Sequence, residues 1–218
     1  MTEVRLAARA KAVLDQLEKT YPSDRPLLVY HSPYQLLIAV VLSAQTTDAQ
    51  VNRITPELFT RFPDPCALAA GDPSEIEAII HPTGFFRAKA RNIRAAARAL
   101  CDRFGGMVPD AMDDLLSLAG VGRKSANVIR GALFGHPAII VDTHFARVNR
   151  RLGLTNQTDP ARIEREIAEL LPPHRHYSYS MRANYHGRDC CFARSPTCTN
   201  CPLRDLCPYP QSQGRPLE

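Results

Sequence analysis

Apolar residues recur along this chain at helical spacing almost everywhere, and alternate at strand spacing almost nowhere. That periodicity restricts the 218 residues to an all-α fold, in which each helix must bury one stripe against another helix. The punctuation agrees. Ser32-Pro33, an N-cap followed by proline at the first helical position, predicts a strongly apolar helix through Leu42. A first helix is expected over about 2–20, with Leu6, Ala10, Leu14 and Leu17 on one face. Others are expected from Thr47 or Asp48, after Asp72-Pro73, and from Gly84 to about Phe104, where Gly105-Gly106 stops the helix. That long helix carries Arg87, Arg91, Arg94 and Arg98 along one side, a pattern that reads first as a solvated face. The tail from Gln211 to Gly214 is expected to fray.

Composition narrows the class. A charged fraction of 22% and a hydrophobic fraction of 44% exclude a disordered or collagenous chain. The longest apolar run, Leu36 to Leu42, is far too short for a bilayer span of about 20 residues. No secretory h-region follows Met1, so a cytoplasmic, nucleoid-associated location and no membrane partner are the expectation. The net charge of +5 weakly favours a polyanionic partner. Of the 27 basic residues only Lys11, Lys19, Lys89 and Lys124 are lysines. Arginine does not deprotonate, so any amine chemistry falls on one of these four or on the amino terminus.

Five cysteines crowd the carboxyl end: Cys190, Cys191, Cys198, Cys201 and Cys207. In an intracellular-looking chain such a cluster reads as a metal site rather than a disulfide framework. Cys191, Cys198, Cys201 and Cys207 form Cys-x6-Cys-x2-Cys-x5-Cys, which suits tetrahedral zinc or a [4Fe-4S] cluster. A single Cys-x2-Cys knuckle leans toward iron–sulfur, and Cys190 is either a spectator or a substitute for Cys191. Arg188, Arg194 and Arg204 could offset the thiolate charge or face a phosphate backbone. Cys66 and Cys101 stand apart and read as small buried hydrophobes.

The stretch from Leu116 to Val128 contains Leu118-Ala-Gly-Val-Gly-Arg-Lys124 between two predicted helices. Glycines two apart suit a turn with positive φ and close backbone approach. Main-chain N–H groups of such a turn, with the following helix's amino end, converge on an anion. Lys124 falls in the first turn of that helix, where the dipole and Arg123 disfavour its protonated form. A neutral amine there can attack a sugar C1′ carbon, or it can simply grip phosphate. Downstream, Ala138 to Val141 leads into Asp142-Thr143-His144, with Asp142 or Thr143 as N-cap of the next helix.

Taken together, Leu42-Ser-Ala-Gln45, the hairpin ending at Lys124, Val141-Asp-Thr-His144, and His186-Gly-Arg188 with the cysteine pattern resemble the endonuclease III family of DNA glycosylases. The resemblance covers nearly the whole chain. It implies a two-lobed helix-hairpin-helix glycosylase fold: a six-helix barrel over 24–136, and a cluster lobe joining 1–23 to 137–218 and holding a [4Fe-4S] cluster. It implies a monomer that acts on double-stranded DNA carrying oxidised bases or abasic sites, removing oxidised pyrimidines and nicking 3′ to the abasic site. Lys124 would be the nucleophile and Asp142 would assist it. Gln45 would fill the space left by a flipped nucleotide, and Phe85 would wedge the opposite strand. His144 would lie near the substrate strand; Gly120, Val121, Gly122 and Arg194 would hold phosphate; Cys191, Cys198, Cys201 and Cys207 would ligate the cluster.

The chain departs from the family pattern at Ala119, where proline is usual, and at Phe85, where leucine is common. Ser195 and Thr197 stand where basic residues are common, and Arg182 and Asn184 where apolar ones are expected. Alternative readings are a uracil- or mismatch-directed relative, a slow or non-catalytic DNA-binding paralogue, and an electron carrier. Adenine-directed relatives generally lack the hairpin lysine and carry a carboxylate ahead of the glutamine; here Lys124 is present and 36–44 holds no carboxylate.

Overall fold

The structure, a computed structural model, describes residues 3–212, and among them every regular element is helical. No helix is long and apolar enough to cross a membrane. The chain divides into two compact units, 26–134 and 1–25 with 135–218.

Helix α1 (Glu3–Thr20) opens the discontinuous unit and buries Ala10, Val13, Leu14 and Leu17. The unit 26–134 holds the next seven helices. In order they are α2 (Pro33–Leu42), α3 (Asp48–Arg61), α4 (Pro65–Ala70), α5 (Pro73–Ile80), α6 (Phe86–Phe104), α7 (Met112–Leu116) and α8 (Arg123–Phe134). Their ends follow the capping chemistry. Ser32, Thr47, Asp64 and Asp72 each accept a first-turn N–H, with proline at the start of α2, α4 and α5. Gly105, at φ 59°, closes α6. Helix α2 is buried from Leu36 to Leu42 on every side, so it is the axis of this unit rather than an amphipathic wall. Ile54 and Leu58 of α3, Ile76 and Ile80 of α5, Ile93, Ala96, Ala97 and Leu100 of α6, and Ala126 and Ile129 of α8 share its core.

In the discontinuous unit, α9 (Thr143–Arg151), α10 (Pro160–Leu170), α11 (His176–Asp189) and the short α12 (Tyr209–Ser212) join α1. Phe145, Val148, Ile163, Ile167, Tyr179 and Ala183 fill the core. The expected fraying near the carboxyl end meets this last helical turn over 209–212; Gln213 and Gly214 lie outside the described residues.

One sequence expectation is overturned. Cys66 at the start of α4 and Cys101 near the end of α6 are not buried hydrophobes. Cys66 is exposed, Cys101 is half-buried, and the two form a disulfide. They lie 35 residues apart, on helices whose antiparallel packing local periodicity does not reveal.

Candidate active site and cysteine centre

The hairpin is α7, a turn over 117–122, and α8. Leu115, Leu118 and Val121 are buried in the core and fix the turn from below. Arg103 Nη1 donates to Ser117 Oγ (3.1 Å) and Arg130 Nε to Asp110 O (3.0 Å), tying both flanks of α7. The two glycines do different jobs. Gly120 takes φ 80°, and a Cβ there would lie 2.9 Å from Val41 Cγ1 and 3.1 Å from Asn92 Cβ. It therefore seats the turn on α2 and α6. Gly122 has no positive φ, and a Cβ there would meet nothing within 4 Å, so its lack of a side chain leaves open backbone facing outward. Val121 departs from the expectation that its amide is offered to phosphate, because its N–H donates to Leu118 O (3.1 Å). The amides left for an anion belong to Gly120, Gly122 and the first turn of α8, which has no intrahelical acceptors. Lys124 stands exposed in that first turn.

Two loops of the same unit present Gln45 and Phe85. Both are non-glycine residues in the left-handed region, at φ 54° and 49°, and Phe85 is 68% exposed. Only a few per cent of non-glycine residues take positive φ, and a large apolar ring held there in the open marks a contact surface. Between the loops lies Lys89, one of the four candidate amines. Lys89 is 4% exposed; its Nζ donates to Thr46 Oγ1 (2.6 Å) and to Thr83 O (2.9 Å). Burial holds its ammonium below the usual lysine range.

In the other unit, Asp142 is the N-cap of α9. Its Oδ1 accepts from Phe145 N (2.8 Å), and its Oδ2 accepts from Asn184 Nδ2. The carboxylate is thus fixed at both oxygens. The extended run before it is held because Ile140 N donates to Ser180 Oγ (3.0 Å). Arg182 donates to Tyr21 O (2.8 Å) and Pro22 O (3.1 Å) and pairs with Asp24 (3.2 Å). Arg182 and Asn184, the α11 residues unexpected from the family pattern, thus each have a partner. His144 is half-buried and its Nδ1 lies 3.2 Å from Arg147 Nη2. A Cβ on Gly187 would lie 2.8 Å from His144 Cβ, so the His186-Gly-Arg188 motif lets α11 pass against the start of α9.

The five carboxyl-end cysteines line one cavity together with His186, Arg151, Leu152 and Leu203. Ligand atoms of His186, Cys190 and Cys201 lie within 4.8 Å of one another. This trio brings in two groups outside the expected four, and Cys201 Sγ is 3.6 Å from His186 Nε2. Burial pushes the Cys201 thiol up to about 12, with Cys190 and Cys207 adding to it, and holds the His186 imidazole down to about 4. Thiols so placed ionise only against a positive centre, so this donor set fits a metal or a metal–sulfide cluster. Arginines from α9, unforeseen in the sequence, support the loop. Arg151 Nη1 donates to Cys191 Sγ (3.2 Å) and Phe192 O (2.7 Å), and Arg147 Nε donates to Cys191 O (2.9 Å). Arg194 is exposed on that loop beside Ser195, which takes φ 49°.

The family pattern described as HhH-GPD superfamily base excision DNA repair protein matches residues 38–173. Endonuclease III of Synechocystis sp. is 50% identical over 205 residues, 94% of each chain. A non-covalent endonuclease III–DNA complex superposes with a TM-score of 0.90 at 39% identity, covering 99% of this chain and 100% of that one. A trapped endonuclease III–DNA covalent intermediate superposes equally well, with the same TM-score of 0.90 and 39% identity. A lysine on a glycine hairpin, a doubly held aspartate ahead of α9 and a cysteine-lined pocket therefore sit in a familiar frame: the chain belongs to the endonuclease III family within the helix-hairpin-helix base excision repair superfamily.

Proposed function

We propose that this base excision repair glycosylase and lyase acts on oxidised pyrimidines in double-stranded DNA, with Lys124 as nucleophile. The observation that carries the reading is Lys124 itself, exposed on the first turn of α8 directly after the glycine turn. The main chain beside it, at the amino end of α8, binds phosphate. Its Nζ attacks C1′, the bond from C1′ to the base breaks, and the base leaves with the electron pair and takes a proton. Opening of the sugar gives a protonated imine. Loss of a C2′ proton then breaks the C3′–O bond, and water releases the lysine.

Asp142 supplies negative charge to the cationic sugar and a site for the proton in transit. Its doubly held carboxylate needs no reorganisation to do so. Flipping the nucleotide costs a few kcal/mol, offset by Gln45 filling the gap and Phe85 entering the opposite strand. Gly120 seats the hairpin and, with Gly122 and the first α8 amides, takes a phosphate, and His144 and Arg194 add contacts along the strand. Cys191, Cys198, Cys201 and Cys207 would hold a [4Fe-4S] cluster, which supplies structural and electrostatic support to the loop carrying Arg194.

The partnered polar residues of α11 favour a working site over a decayed one. Borohydride trapping on abasic duplex DNA, with a panel of single-lesion duplexes, tests the reading. A covalent adduct and rapid release of thymine glycol are expected. Absence of the adduct would favour a binding module, and preferred release of uracil or a mismatched base would redirect the specificity.

A further inference from the structure

Lys89 is one of four lysines and is nine-tenths or more buried, with Thr46 Oγ1 and Thr83 O as its partners among the described residues. A buried ammonium without a carboxylate costs stability, and a methionine of similar length would fill the same space without that cost. What the ammonium adds is a bond to each of two loops. Thr46 follows Gln45, and Thr83 precedes Gly84 and Phe85. Thr46 Oγ1 also donates to Thr83 O, so three polar groups close a small network between the loops. Both loops carry the left-handed backbone described above, which persists only where neighbouring contacts impose it. The α6 amino end has no side-chain cap, so this network joins the turn bonds from Gly84 N to His81 O and from Thr83 Oγ1 to Ile80 O in restraining the Phe85 loop.

We propose that Lys89 is a positioning residue that locks the Gln45 loop to the Phe85 loop, so that the two side chains enter the duplex as one preset pair. This rests on the reading that Gln45 and Phe85 insert into DNA. Locked loops lower the entropy lost on insertion and so lower the barrier to nucleotide flipping. Abasic sites in single strands need no flipping and gain little from the lock.

The test compares single-turnover cleavage of an abasic site in a duplex with cleavage of the same site in a single strand, for Lys89→Met, Thr46→Val and Phe85→Ala. Lys89→Met is expected to slow the duplex reaction at least about tenfold more than the single-strand reaction, and Thr46→Val to act in the same direction by about threefold. Fluorescence of 2-aminopurine opposite the abasic site should rise less with Lys89→Met than with the parent chain. A structural role alone would slow both substrates equally, and that result overturns the proposal. If Lys89→Met does not fold, Thr46→Val carries the same comparison with the same overturning outcome. Should Phe85→Ala leave the duplex-to-single-strand ratio unchanged, the insertion reading fails. Should Phe85→Ala change the ratio while Lys89→Met and Thr46→Val do not, only the lock fails.

Discussion

Residues 26–134 fold around a helix that is apolar on every side, with Thr55, Thr83, Lys89 and Asn127 buried around it, whereas residues 1–25 with 135–218 bury Asn149, Ser180, Arg182, Asn184 and His186 next to the candidate site residues themselves. The first unit places its functional groups by backbone conformation: Gly120, Gln45 and Phe85 all take positive φ. The second places them by side-chain hydrogen bonds, from Asn184 to Asp142, Ser180 to the run before it, and Arg147 and Arg151 to the cysteine loop. Apolar packing tolerates an exposed change above it. A buried polar network loses a partner at each change, and every orphaned group costs about 1–3 kcal/mol. Substitutions in the first unit should therefore separate chemistry from stability, and those in the second should move both.

The largest expected effect is that of Lys124→Ala, which should remove the borohydride adduct and slow strand cleavage at least about a thousandfold, about 4 kcal/mol of activation energy. Thermal melting should barely change, because Lys124 is exposed. A large drop in Tm would break the contrast at its strongest point. Next, Asp142→Asn should slow base removal about a hundredfold. Asparagine caps helices as well as aspartate does, but it sets an N–H against the Asn184 Nδ2 donor, so Tm should fall slightly along with the rate. A tenfold loss of DNA affinity, about 1.4 kcal/mol, would instead make Asp142 structural. Cys201→Ser should abolish a broad visible absorbance band and lower Tm by at least about 5 °C, since metal binding and folding are coupled. A colourless parent protein containing zinc would contradict the iron–sulfur assignment.

These expectations draw unequally on sequence and on structure. The ends of α2 and α6 were legible because caps, prolines and glycines act within a few residues of each other. The disulfide between Cys66 and Cys101 was not, nor was the bond from Asn184 to Asp142, because each depends on which helices meet. Asn184 read as a departure from the family pattern; its meaning came only from the carboxylate beside it. Lys89 was one of four candidate amines, and only burial separates its role from that of Lys124.

Two smaller effects sharpen the same contrast. Asn184→Leu should slow base removal about tenfold, by freeing one oxygen of Asp142, and should lower Tm as well. Unchanged turnover would mean that the N-cap contact alone suffices. The smallest effect concerns Lys89. Its folded pKa lies below the unfolded value, so the folded state binds its proton less tightly than the unfolded chain does. The resulting penalty is present at neutral pH and fades as pH rises from the folded value toward about 10.4. Denaturant unfolding across that alkaline window should show the parent chain gaining stability relative to Lys89→Met. A flat difference would mean that the buried ammonium titrates as it does in water.

The missing side chain at Gly187 has a wider consequence. Its backbone oxygen accepts from Arg147, whose other nitrogen grips Cys191 O, while its bare Cα abuts His144. One methyl added at this spot would be felt both by His144 at the start of α9 and, through Arg147, by the loop that carries the cysteines. Variation at the start of α9 is thereby bound to variation in the cysteine-bearing segment, and a change on one side must suit the other.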